Sequence, residues 1–129
     1  MSTSEAITRQ IRVSVITEYS PDRSRPQDRQ WFFLYTITIA NDSDDVIQLL
    51  SRHWLITDDS GEVEEVKGQG VIGQQPVLKP GEEFTYTSGC SLRTALGTME
   101  GTYQMSADGG KPFDVTIPKF TLTGPYTVH

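Results

Sequence analysis

The feature of this sequence that most constrains its fold is an alternation of apolar and polar residues, broken at short intervals by turn-forming residues. Between Gln10 and Tyr19, for example, Ile11, Val13 and Val15 fall on one face of an extended chain, with polar residues on the other. A period of two residues is typical of a half-buried β-strand, because successive side chains point to opposite faces. Four alanines against fifteen threonines also favour strands over helices.

Seven strands are predicted from this alternation. They span residues 10–19, 31–41, 46–57, 62–66, 83–88, 101–107 and 113–120. The alternation slips near Leu49–Leu50, which indicates a β-bulge, and residues 91–98 are irregular with room for one helical turn. Short strands, frequent turn signals and no clear helix predict an all-β fold. The simplest form is an antiparallel β-sandwich of seven or eight strands, immunoglobulin- or fibronectin type III-like, with a small barrel as the alternative.

Length and charge limit the classes of protein. The 129 residues predict a single domain over residues 1–129, with a core at about 7–121 and peripheral tails at about 1–6 and 122–129. No apolar run approaches the roughly 20 residues of a membrane span, and the first residues do not resemble a signal peptide. Because the one cysteine, Cys90, cannot form an internal disulfide, we expect a cytoplasmic protein. The net charge of −6 argues against nucleic-acid binding, which needs a basic face.

The clearest motif is a glycine-rich string over residues 68–73, in which Gly68, Gly70 and Gly73 form the pattern G-x-G-x-x-G. In dinucleotide-binding folds such a string holds pyrophosphate at a helix N-terminus. Here two prolines follow within eight residues and oppose a helix, so the Rossmann interpretation is rejected. Two interpretations stay open. The glycines supply turns or a bulge between strands, or their backbone N–H groups, helped by Lys67, form a looser nest for a phosphate anion.

The other reactive residues form no recognisable catalytic or metal-binding set. His53 and His129 are the two histidines, and with one cysteine they do not make a tetrahedral metal site. Cys90 lacks a thiolate-stabilising neighbour, so we expect a small buried thiol. The acidic residues at 42–45 and 58–65 match no calcium-loop template and suit hairpin turns better. We therefore expect no enzymatic activity, no cofactor and no metal site.

Several strings in combination resemble the ApaG family, also called CorD. They are Arg52-His53-Trp54, Ile56-Thr57-Asp58, Glu64-Glu65-Val66, the segment 68–81, Tyr86-Thr87-Ser88-Gly89-Cys90, the segment 101–105 and the segment 113–118. The resemblance covers about residues 6–123. It implies a bacterial protein with a fibronectin type III-like sandwich and an association with cobalt and magnesium resistance. It supplies no catalytic residues.

The resemblance also bears on what the domain binds. Related domains in eukaryotic F-box proteins and in a polymerase-delta-interacting protein imply a protein-interaction module. The glycine string has been likened in this family to a pyrophosphate-binding motif, which implies Gly68, Gly70 and Gly73 as its residues here.

Three functional hypotheses result. The one we favour is a non-catalytic binding module that contacts an unidentified protein partner, or a second copy of itself, through a sheet face or an exposed edge strand. The second is weak phosphate or nucleotide binding at Gly68, Gly70, Gly73 and Lys67, with or without enzymatic activity. The third is direct metal sensing through the acidic loops.

Overall fold

The computed structural model describes residues 2–125, and within them the alternating sequence forms nine β-strands. The strands are β1 Ser2–Thr8, β2 Ile11–Tyr19, β3 Trp31–Asn41, β4 Ile47–Asp58, β5 Val63–Gln69, β6 Val77–Leu78, β7 Glu83–Leu92, β8 Leu96–Ala107 and β9 Phe113–Thr123. One antiparallel sheet has the order β1-β2-β3-β7, and the other has the order β5-β4-β8-β9, with β6 pairing β4. Two 3-10 turns, Pro21–Arg23 and Pro26–Asp28, lie between β2 and β3.

The predicted all-β sandwich is confirmed, while its likeness to immunoglobulin or fibronectin domains stays a prediction. Two strands, β1 and the two-residue β6, were not predicted. Residues 1–6 were assigned to a peripheral tail, but β1 begins at Ser2 and pairs with β2. The turn between these strands uses Arg9 and Gln10 at φ 49° and 65°. Left-handed turns usually carry Gly or Asn, so this one has no sequence signal.

Two further expectations fall in the later part of the chain. Residues 91–98, irregular in the sequence with room for one helical turn, hold the end of β7, a bend and the start of β8. His129 and the end of the predicted C-terminal tail lie outside the described residues. Within residues 2–125, no helix is long and apolar enough to cross a membrane.

The β-bulge predicted in β4 is confirmed, since the register of β4 against β8 shifts between Leu49 and Ser51. The shift decides which later residues of β4 face the second sheet. Arg52 then pairs with fully buried Tyr103, and it shares the inward face with Trp54. A charged side chain is thereby turned towards the interior of the sandwich.

The core between the sheets is centred on aromatic rings. Trp54 packs against Tyr35, Phe120 and Tyr103 with ring centroids 5.6, 5.9 and 6.4 Å apart, all in edge-to-face contacts. This geometry suits the positive edge of one ring and the negative face of the next. The large buried rings fix β3, β4, β8 and β9 relative to one another.

The two sides of the sandwich differ. On one side β1 lies against β9: the Thr116 N–H donates to Thr8 Oγ1 at 3.1 Å, and the Arg9 guanidinium stacks 3.9 Å above the centre of the Phe113 ring. On the other side, β5 and β7 end their sheets and are not paired with each other. We call this second side the open side.

Candidate functional site

A cleft of about 550 Å³ occupies the open side, between β5 and β7. We call it the β5–β7 cleft. Its floor consists of Tyr35, Trp54 and Met99, all of which are buried. Its volume falls in the ~300–1,000 Å³ range of ligand sites, and an apolar floor with a few polar groups is their usual composition. A second hollow of about 460 Å³ shares Ile56, Glu64 and Ser91 with it, so the two adjoin.

Arg52 is the cation of the β5–β7 cleft. Its Nη1 donates hydrogen bonds to the carbonyl oxygens of Gln69 at 2.9 Å and Gly70 at 2.8 Å. Within residues 2–125, no carboxylate forms an ion pair with Arg52, and its Nε and Nη2 have no hydrogen-bond partner. The guanidinium lies against Gly68, where an added Cβ would sit 2.9 Å from it. The loop therefore holds one edge of the guanidinium and leaves the other uncommitted.

Three tyrosine hydroxyls surround this region. The Tyr86 and Tyr103 hydroxyls share a hydrogen bond of 2.5 Å, and the Tyr35 hydroxyl lies near Ser88. Burial raises the pKa of all three tyrosines above the usual value, and the positive charge of Arg52 opposes this only in part. The hydroxyls are therefore neutral at physiological pH. They do not cancel the positive charge of Arg52 at this end of the cleft.

Cys90 and Glu64 line the part of the cleft farther from the loop. Cys90 is 8% exposed, as the sequence predicted, and burial, reinforced by the negative charge of Glu64, raises the pKa of its thiol to about 11. Reactive cysteines need a lowered pKa, because the thiolate is the nucleophile. The surroundings of Cys90 act in the opposite direction and keep the thiol protonated near neutral pH.

The glycine string forms the end of β5 and a tight turn. Val71 and Gln74 exchange two backbone hydrogen bonds of 2.8 and 2.9 Å, and the residues between them, Ile72 and Gly73, have φ values of 42° and 76°. A Cβ on Gly70 would lie 2.3 Å from the Gln74 carbonyl oxygen. The chain continues into β6 and not into a helix, which confirms that the Rossmann interpretation does not apply.

The phosphate-binding residues predicted from the sequence are only partly brought together. Gly68, Gly70 and Gly73 share the loop, but the backbone N–H of Gly70 already donates to the Leu50 carbonyl. Lys67 lies on the outer face of β5, opposite to Gly68, with its Nζ 4.0 Å from Glu65. Phosphate binding at these four residues stays a prediction.

The remaining reactive residues lie on the outer surface. His53 Nε2 is 2.9 Å from a Glu65 carboxylate oxygen, and this hydrogen bond lowers the pKa of Glu65. The Asp58 carboxylate accepts hydrogen bonds from Ser60 and from the Glu62 N–H within a hairpin turn, which lowers the pKa of Asp58. In the described part of the chain, no three His, Cys, Asp or Glu side chains are grouped for a metal ion.

Sequence reasoning did not single out Arg52 as a functional residue. The signal was present, because Arg52 precedes Trp54 by two residues and so shares its face, and the bulge at Leu49–Leu50 turns that face inward. A charged residue in phase with a core tryptophan is an exception to the pattern of apolar inward-facing positions. Gly68, which pairs with Arg52, is a second signal, because a glycine within a strand often marks a place where another group approaches the backbone closely.

Comparison with known proteins gives one consistent result. The sequence profile described as the ApaG domain matches residues 21–107. The chain is 50% identical over 121 residues to "Protein ApaG" of Beijerinckia indica, covering 94% of this chain and 93% of that protein, and 52% identical over 120 residues to "Protein ApaG" of Pseudomonas entomophila, covering 93% and 95%. A crystal structure from Bordetella pertussis, described as an ApaA protein, superposes with a TM-score of 0.87 at 50% identity, covering 91% of this chain and 95% of that one. The chain belongs to the ApaG family.

Proposed function

We propose that this protein is a non-catalytic, cytoplasmic binding module that recognises another protein at its open side. The observation that carries the proposal is the pair of edge strands, β5 and β7, which flank the β5–β7 cleft without pairing with each other. The outer edge of a terminal strand presents backbone N–H and C=O groups to an added strand. An extended segment of a partner can therefore bind here by strand addition.

The rim of the open side supports the same proposal. Val63 in β5 is 60% exposed beside the second hollow and Ile72 in the tight turn is 55% exposed at the β5–β7 cleft, while the floor between the sheets is buried and mostly aromatic. A partner that covers this rim removes apolar surface from water, at roughly 25 cal/mol per Å². Strand addition supplies direction and register, and the cleft supplies selectivity for side chains.

A second copy of the chain is the alternative occupant, since edge strands also pair between identical subunits. The Cys90 thiol is protonated and gives no sign of nucleophilic chemistry in the cleft. This supports a binding role over a catalytic one. On this proposal, the cobalt and magnesium resistance that the family resemblance implies is an indirect effect of the partner. Nucleic acid and membrane are not among the proposed partners.

Photocrosslinking inside bacterial cells tests the proposal. Benzoylphenylalanine is placed at Val63 in β5 or at Ser91 in β7, both exposed at the open side, and at Thr121 in β9 as the control. We expect a discrete crosslinked product from the first two positions and none from Thr121. Mass spectrometry of the product identifies the partner.

The alternatives give different products. A crosslink at twice the mass of the chain, together with a dimer in sedimentation, indicates a second copy. Equal labelling from all three positions, or no discrete product in cells that express the protein at its natural level, would contradict the proposal. Substitution of Val63 by Asp should remove the Ser91 product, because a buried charge at the rim opposes docking.

A further inference from the structure

We infer that the β5–β7 cleft receives the free C-terminal carboxylate of an extended protein segment, and that Arg52 is the residue that binds it. This inference rests on the proposed function and names the chemistry of the partner. It depends on three observations: the uncommitted edge of the Arg52 guanidinium, the turn that lies beyond it, and the charge at the other end of the cleft.

The first observation concerns the donors of Arg52. Both of its hydrogen bonds leave from Nη1, to the carbonyl oxygens of Gln69 and Gly70, so the Nε–Nη2 edge remains. That edge presents two parallel N–H groups, the geometry that binds a carboxylate in bidentate fashion. The structure holds the side chain in place by stacking it on Gly68. The site therefore loses little side-chain entropy on binding.

The second observation is that the cleft is bounded by the tight turn beside Arg52. Val71 and Ile72 line it there, and the Arg52 hydrogen bonds join the guanidinium to the same loop. A segment that enters from the far end meets this turn, so a chain terminus fits better than a continuing chain. Ile72 adopts φ 42°, which a β-branched residue rarely does, and strained residues of this kind cluster at ligand sites.

The third observation is the position of Glu64. In β5 it lies on the same inward face as Gly68, four residues earlier, and it lines the far end of the cleft. At about 3.3 Å per residue, roughly 13 Å of strand separates the two positions. A segment that runs parallel to β5 with its carboxylate at Arg52 brings its fifth residue from the end beside Glu64. A basic residue at that position complements the negative charge of Glu64, and the terminal carboxylate complements the positive charge of Arg52.

The test uses a synthetic peptide and nuclear magnetic resonance of the full chain. The probe is acetyl-Lys-Thr-Val-Thr-Val with a free carboxylate, compared with the same peptide as a C-terminal amide. We expect the free acid to shift the Arg52 Nε–H resonance and the amides of Gly68 and Ser88 at millimolar concentration. The amide form should bind at least about tenfold more weakly, since it lacks the charge-assisted hydrogen bonds.

Two variants give a matched comparison. Arg52→Met and Lys67→Met each remove one positive charge from neighbouring positions of the second sheet, but Lys67 is on the outer face. Binding of the free acid should fall at least about tenfold in Arg52→Met and stay within twofold in Lys67→Met. The Arg52 Nε–H shift in the unaltered protein decides the question independently if Arg52→Met does not fold.

Three results would overturn the inference: no shift of the Arg52 Nε–H, equal affinity for acid and amide, or stronger binding of inorganic phosphate than of the free acid at the same resonances. The last result would assign Arg52 to a small anion. If Val63 and Ser91 still give a crosslinked partner in any of these cases, the proposed function stands and only the chemistry of the segment is wrong.

Discussion

The two glycines of the tight turn provide a sharp test of why the glycine string is present. Gly70 and Gly73 have similar left-handed conformations, at φ 62° and 76°. They differ in their surroundings, because a Cβ on Gly73 meets nothing within 4 Å, whereas a Cβ on Gly70 would lie 2.3 Å from the Gln74 carbonyl oxygen. The same substitution by alanine therefore separates conformational cost from a backbone clash.

The magnitudes follow from these contacts. For Gly73→Ala the left-handed conformation costs about 1–2 kcal/mol, and the stiffer unfolded chain returns about 0.4–1 kcal/mol, so we expect a net loss of about 1 kcal/mol. Gly70→Ala carries the same net cost and must also move the Gln74 carbonyl. Moving this carbonyl breaks the hydrogen bond that it accepts from the Val71 N–H, and the shift of Gln74 that goes with it breaks the reciprocal bond to the Val71 carbonyl, each of which contributes about 1 kcal/mol. The expected loss for Gly70→Ala is about 3 kcal/mol.

Urea unfolding followed by tryptophan fluorescence measures both losses, because Trp54 is buried in the core. The midpoint should fall about three times as far for Gly70→Ala as for Gly73→Ala, with an unchanged dependence of the unfolding free energy on urea. Equal losses for the two variants would refute the reasoning. They would mean that the turn relaxes freely and that the string is not explained by its backbone geometry.

Three more predictions concern buried polar groups. The pKa of the Cys90 thiol rises from roughly 8.5 in the unfolded chain to about 11 in the fold, so its contribution to stability is complete below pH 8.5 and is lost as the pH rises towards 11; the unfolding free energy should fall more steeply over that window than in Cys90→Ala, and equal slopes would contradict this. Tyr86→Phe leaves the buried Tyr103 hydroxyl without its hydrogen bond and should cost about 1–3 kcal/mol in urea unfolding, and adding Tyr103→Phe should recover part of the loss. Asn41→Ala removes donors to the Asp45 and Leu78 carbonyls from a fully buried side chain, and thermal unfolding should show a loss of at least about 2 kcal/mol.

Much of the fold was predictable because burial on one face of a sheet imposes a period of two on the sequence. The strands that carry the core, such as β3 and β8, follow that period, and the slip at Leu49–Leu50 gave the bulge. β1 was missed because it is a polar edge strand, and its turn at Arg9 and Gln10 has no glycine. Its position is set by pairing with β2, a long-range interaction that local pattern does not encode.

The site was less predictable than the fold. The glycine string was noticed, but its partner Arg52 is sixteen residues away from Gly68 and meets it only through the β4–β5 register. The same string suggested Lys67 as the cation, since the two are adjacent in sequence. Alternation along β5 puts Lys67 outside and Gly68 inside, so the cation next to the string in the sequence is not the cation of the β5–β7 cleft.

On the proposed function, the contact between β1 and β9 limits how many neighbours the domain can recruit by strand pairing. A sandwich whose edge strands are free on both sides can pair with two neighbours. Each added subunit then exposes another free edge, so growth into fibres does not terminate. Here one side is closed, because Thr8 and Arg9 at the end of β1 contact Thr116 and Phe113 of β9. On the proposed function, the open side is then the side left for strand pairing, and an association through it stops once that side is filled.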